Sequence, residues 1–124
     1  MNVISKNPPS ISTKTLALYV EWQLKTKHIP KNLRYSIGSR IENLMANLIE
    51  NITYAYHIDF HSRVKIILTA IAKNDTLKFM IYALHELKGL DENNYFLLSE
   101  KVEEIGKMLH GWKNQIEKQN HQNK

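Results

Sequence analysis

The sequence predicts an all-α fold, an up-down four-helix bundle. Two observations carry that prediction. Apolar residues recur at spacings of three and four along four stretches, the period of one face of an α-helix. A chain of 124 residues with only three prolines and four glycines also has few points at which a helix must stop. The length fits one domain, since domains commonly hold about 100–150 residues, and a composition that is 43% hydrophobic is that of a folded chain. The helical stretches run over residues 13–27, 33–58, 62–88 and 92–119. The bundle therefore occupies 13–119, between a flexible N-terminal tether, 1–12, and a polar C-terminal tail, 120–124.

The first helix ends with Lys25 and Lys27, and the second follows the break at Pro30. Ile37, Ile41, Leu44 and Leu48 define the second helix's central stripe, and Met45, Ile49, Ile52 and Tyr56 widen it. A helix in an isolated bundle needs an apolar arc only a little over ~100° wide, so the surplus predicts packing against a second subunit. Lys31, Arg34 and Arg40 crowd the start of this helix. The macrodipole is positive there, so a cation costs about 0.3–1 kcal/mol. At ~100° per residue, Arg34 and Arg40 flank the central stripe rather than occupy it. Cations held against the dipole at the margin of an apolar face predict an anionic partner.

In the third helix the stripe of Val64, Ile67, Leu68 and Ile71 changes phase before Leu77, Met80, Ile81, Leu84 and Leu87. The change falls at residues 73–76, KNDT. Periodicity alone allows either a break capped by Asp75 or Thr76 or one continuous rod. The fourth helix is the most regular: Tyr95, Leu98, Val102, Ile105, Leu109, Trp112 and Ile116 share one stripe. Asp91 is its N-cap candidate. Trp112 continues the stripe and reads as core rather than as a platform for stacked bases. Gly106, near the stripe's edge, permits close helix approach.

The net charge of +5 is unevenly placed. Residues 1–40 carry seven Lys and Arg against the single acid Glu21, which leaves the rest of the chain near neutral. Such clustering attracts nucleic acid or an acidic partner. The absence of cysteine removes disulfides, thiolate nucleophiles and cysteine-ligated zinc, and fits a reducing compartment, with the cytoplasm as the expected location. The N-terminus lacks the pattern of a signal peptide, and no apolar run approaches the ~18 residues of a membrane span.

Three pieces, "IPKNLRYSIGSRIENLMANLIENITYAY", "LTAIAKNDTLKFMIYALHEL" and "LSEKVEEIGKMLHGW", carry a family resemblance. The most specific are Pro30, Lys31, Arg34, Tyr35, Gly38, Arg40, Ile41 and Glu42 at the second helix's start, and Glu104 to Trp112, with Gly106 and Gly111, near the end. Over roughly Leu16 to Lys113 the chain resembles the accessory variability determinant (Avd) proteins of diversity-generating retroelements. It departs at Ile29, usually Phe, at Asn74, usually apolar, and at His110, usually small. The piece around Asp75 to Lys78 lies inside one long helix in that family, which favours the continuous rod.

The resemblance implies a four-helix-bundle protomer assembled into a homopentameric barrel, with no catalytic residues and no cofactor. It implies a non-enzymatic accessory that binds a reverse transcriptase and its template RNA, with DNA as a further ligand, in support of error-prone cDNA synthesis. Candidate contacts for these partners are Lys25, Lys27, Lys31, Arg34, Arg40 and Lys78. The alternatives are the related bundle proteins encoded within ribosomal RNA intervening sequences and a small helical-bundle nuclease. The first usually carry Ser-Ile-x-x-Asn-Ile-Ala-Glu-Gly where this chain reads NLMANLIENITYAY. Against the second, no histidine has a Glu three residues before it, the pattern of di-iron bundles, and no Arg is followed four to six residues later by His. His57 and His61 are i, i+4 neighbours with Asp59 between them and would need a third ligand to hold a metal. A helix end and connector is the plainer reading of the pair.

Overall fold

The computed structural model describes residues 10–122. Helix α1 spans Ser10–Thr26, α2 is the single turn Lys31–Arg34, α3 spans Ile37–His57, α4 Arg63–Glu86 and α5 Glu92–Gln122, with a 3-10 turn at Phe60–Ser62. Among the described residues there is no strand. Helices α3 and α5 pack on α4, and α1 packs on α3 and α5, so α1 lies diagonal to α4. This is a four-helix bundle of α1, α3, α4 and α5. Among the described residues no helix is long and apolar enough to cross a membrane.

The bundle is longer at both ends than the sequence predicts. Ile11 is buried in the core, which carries α1 back to Ser10 through residues assigned to the tether. At the other end α5 continues through residues 120–122, assigned to the tail. The remainder of the tether, residues 1–9, lies outside the described residues.

The second helix is divided. Tyr35 and Ser36 interrupt it, Ser36 leaving helical geometry at φ −111° and ψ −96°, and α3 begins at Ile37. The Ser36 hydroxyl donates to the Asn32 carbonyl at 2.7 Å, a local bond of the kind that competes with helix propagation. Arg34 and Arg40 therefore stand on different helices, and their expected placement on either side of one stripe is corrected. Gly38 is buried where the two pieces meet: a Cβ there would lie 3.1 Å from the Leu33 carbonyl oxygen.

The broad apolar arc of α3 is also largely consumed inside the protomer. Ile41, Met45, Leu48, Ile52 and Ala55 are buried, and Leu44, Ile49 and Tyr56 are half-buried. Within the protomer α1 and α4 cover most of this face, and Trp112 of α5 stacks on Tyr56.

Helix α4 runs unbroken through residues 73–76. The apparent phase change vanishes once Ala70 and Asn74 are counted, since both are buried and bridge Ile67 to Leu77 on one face. The helix stops in a Schellman turn, with Gly89 N–H donating to the Leu84 carbonyl and Lys88 N–H to the His85 carbonyl, both at 2.9 Å. Lys88 takes the left-handed position, φ 70°, that glycine usually fills. Asp91 then caps α5 as expected, its Oδ1 accepting from Asn94 N–H at 2.8 Å.

Candidate nucleic-acid interface

The cations singled out by sequence fall into three physical situations. Lys25 lies in the last turn of α1, where the dipole favours it, and pairs with Glu21 at 3.5 Å. Lys78, midway along α4, is bound by Glu103 across the α4–α5 groove. The Glu103 hydrogen bond and charge raise the Lys78 pKa, and the same contact lowers that of Glu103. Arg34 is held from inside: its Nη2 donates to the Ile29 carbonyl at 2.9 Å and reaches the Lys27 carbonyl at 3.4 Å. It thereby satisfies carbonyls left open where α1 ends. Its side chain also lies 5.9 Å from the Tyr35 ring centroid.

Lys27, Lys31 and Arg40 are the remainder. All three are exposed, and their side chains have no ion-pair or hydrogen-bond partner among the described residues. They meet at one end of the bundle. Arg34 ties the Lys27 and Ile29 carbonyls to α2, and Gly38, two residues before Arg40, lies against Leu33 and within 3.9 Å of Trp22 for an added Cβ. The α4–α5 turn reaches the same end, where a Cβ on Gly89 would come within 3.2 Å of Leu33 Cδ1. That turn brings exposed Lys88 to the group. Sequence reasoning missed Lys88, since nothing in the spacing marks it as belonging near Lys31. Pro30, exposed, precedes the α2 turn that supports this end.

Trp112 and Gly106 both take part in packing within the bundle. The Trp112 ring stacks on Tyr56 at 4.4 Å between centroids, joining α5 to the end of α3, and is half-buried rather than fully so. The partial burial of Tyr56 raises its phenol pKa, opposed by Arg63. Gly106 does permit close approach: an added Cβ would sit 3.1 Å from Asn74 Nδ2. Gly111 has open space beside it. His57 closes α3 with Nδ1 2.8 Å from the Thr53 carbonyl, and His61 sits in the 3-10 turn. Among the described residues no group of three or more His, Cys, Asp or Glu could hold a metal ion.

Two exposed apolar surfaces also escaped the sequence reading. Leu16, Val20 and Leu24 line the outside of α1, opposite its buried Ile11, Leu18 and Trp22. Phe79 and Tyr82 of α4 and Tyr95 and Phe96 of α5 form a chain of ring contacts, with centroids 5.8–6.3 Å apart. The regular i, i+4, i+8 spacing of Leu16, Val20 and Leu24 was the available signal for the first.

The model of the bAvd-like family matches residues 11–116. No curated protein and no solved structure matches the chain. The matched span takes in all four long helices, the basic end and the Gly106–Trp112 segment, and the chain belongs to the bAvd-like family.

Proposed function

We propose that this protein is a non-enzymatic accessory of a diversity-generating retroelement, which binds the reverse transcriptase and its template RNA to support mutagenic cDNA synthesis. The observation that carries the reading is the family match over residues 11–116. Lys27, Lys31, Arg40 and Lys88 at one end of the bundle support it, because exposed cations without internal partners are free to neutralise phosphate. The protein works in this reading as a homo-oligomer, a pentamer, in the cytoplasm. A symmetric ring would repeat the basic end around its axis and multiply the phosphate contacts.

RNA binding of this kind depends on salt, since the log affinity falls by about 0.7 per phosphate contact for each log unit of salt on single strands. The test is a salt titration of RNA binding by the wild-type protein and by the triple variant Lys27→Gln, Lys31→Gln, Arg40→Gln. Weaker binding with a shallower salt slope in the variant is the expected result. Equal affinity and slope in the two proteins would overturn the assignment of these cations.

A further inference from the structure

We propose, resting on the RNA-binding reading above, that Tyr35 is a stacking platform for one unpaired base, so that the basic end selects single-stranded RNA over duplex. Tyr35 lies in the break between α2 and α3 and is 65% exposed. Its amide donates to the Lys31 carbonyl at 3.1 Å, which fixes its backbone one turn from that lysine. The Arg34 guanidinium lies over the ring, 5.9 Å from the centroid and within cation–π range. That guanidinium is itself tied to the Ile29 carbonyl at 2.9 Å. Among the described residues no second cation and no other ring packs on Tyr35, and its hydroxyl has no hydrogen-bond partner. The ring is therefore held by one neighbour and otherwise open.

Charge selects the occupant. Residues 22–41 contain Lys25, Lys27, Lys31, Arg34 and Arg40 and no acid. The acids that border this stretch are engaged: Glu21 pairs with Lys25, and Glu42 accepts from the Trp22 indole N–H at 3.1 Å. The α4–α5 turn is mixed, with exposed Lys88 standing among exposed Glu86, Asp91 and Glu92. Lys27, Lys31 and Arg40 therefore set the field around Tyr35, and that turn adds little to it. A cationic side chain of a protein partner, which an aromatic face would otherwise suit, is repelled there. A base carried on a phosphate chain meets both features, since its phosphates neutralise the cations while its flat face covers the ring.

The other exposed aromatic residues lack this setting. Phe79, Tyr82 and Phe96 belong to one chain of ring contacts through Tyr95, beside exposed Asp75, Glu92 and Glu100. Tyr54 stands one turn after exposed Glu50. Strandedness follows from geometry. Inside a duplex the neighbouring pairs already cover both faces of a base, whereas an unpaired base offers a face to an aromatic side chain. Every base has such a face, so the selection is for unpaired RNA and tolerates any sequence.

The test compares wild type, Tyr35→Ala and Tyr35→Phe for binding to an oligoadenylate and to a blunt RNA duplex, each over a range of salt, with circular dichroism melting to verify the fold. Tyr35→Ala is expected to weaken oligoadenylate binding by about five- to 150-fold, the effect of one stacked base. Its salt slope and its duplex binding are expected to match the wild type, because the ring carries no charge. Tyr35→Phe keeps the ring and is expected to bind both RNAs as the wild type does. Unchanged oligoadenylate affinity in Tyr35→Ala overturns the inference, as does an equal loss on single strand and duplex. So does an equal loss in Tyr35→Phe, which would make the hydroxyl the contact. Tyr35→Ala that keeps its RNA affinity but loses the reverse transcriptase in a pull-down would give the ring to the polymerase, overturning the inference and leaving the proposed function standing. A wild type that binds neither RNA at low salt would remove the RNA-binding reading and this inference together.

Discussion

Asn74 reaches from α4 to donate its Nδ2 to the Val102 carbonyl of α5 at 3.1 Å, through the space that Gly106 leaves open. The side chain is 3% exposed, and its Oδ1 has no hydrogen-bond partner among the described residues. A glycine within a helix is unfavourable by about 0.8–1 kcal/mol relative to alanine. Here the missing methyl leaves room for a buried amide, and the two residues should be energetically coupled.

Gly106→Ala should reveal that coupling. In the wild type the new Cβ crowds Asn74 Nδ2, and displacing a buried donor costs about 1–3 kcal/mol, more than the helix gains. In an Asn74→Ala background the same change should stabilise, by about 1 kcal/mol. Denaturant unfolding of the four proteins of the cycle measures the reversal of sign. The same sign in both backgrounds would disprove the coupling.

The two arginines at the basic end should separate. Arg34→Gln loses charge-assisted bonds to the Ile29 and Lys27 carbonyls, so it should lower stability by about 1–3 kcal/mol. Arg40→Gln touches nothing inside and should leave the melting point nearly unchanged while weakening RNA binding. Paired melting and binding measurements on each single variant distinguish a structural cation from an interfacial one.

Lys88→Gly should stabilise the protein. The left-handed position, φ 70°, strains any residue with a Cβ, and glycine there should recover about 1 kcal/mol. A lower denaturation midpoint in this variant would mean that the lysine side chain makes contacts worth more than the strain.

The Lys78–Glu103 pair gives a pH dependence. Glu103 has its pKa lowered in the fold, so its contribution is present above the ordinary carboxylate value of 4.5 and is lost as pH falls through the lowered value. Lys78 has its pKa raised, so its contribution is present below 10.5 and is lost as pH rises through the raised value. Glu103→Gln should therefore melt below the wild type at neutral pH, by a small margin because both groups are exposed. The margin should close in acid. A constant margin across the whole range would exclude the ion pair as its source.

Much of the fold was legible because long amphipathic stretches report their own geometry. The stripe from Tyr95 to Ile116 needs no tertiary information, and Asp91 announces the start of α5 by its type and position. The continuity of α4 was less plain, since two of its buried positions hold Ala70 and Asn74, residues that a hydrophobic period does not count. The break at Tyr35 and Ser36 was hidden for the opposite reason: apolar and basic residues on both sides suit a helix, and the departure of the Ser36 backbone from helical geometry leaves no mark in a hydrophobic period. The site was legible only as a cluster in the sequence. That Arg34 turns inward depends on carbonyls of Lys27 and Ile29 that the turn after α1 presents. On α1 two apolar stripes compete, and the inward one is settled by Trp22, whose indole N–H donates to Glu42 on α3 at 3.1 Å.

The accessory role itself is tested by cDNA synthesis from the template RNA by the cognate reverse transcriptase, with and without this protein. Synthesis that requires the wild-type chain, and that falls when Lys27, Lys31 and Arg40 are replaced by Gln in a protein that still folds, is the predicted result. Template-directed cDNA made equally well in the protein's absence would contradict it.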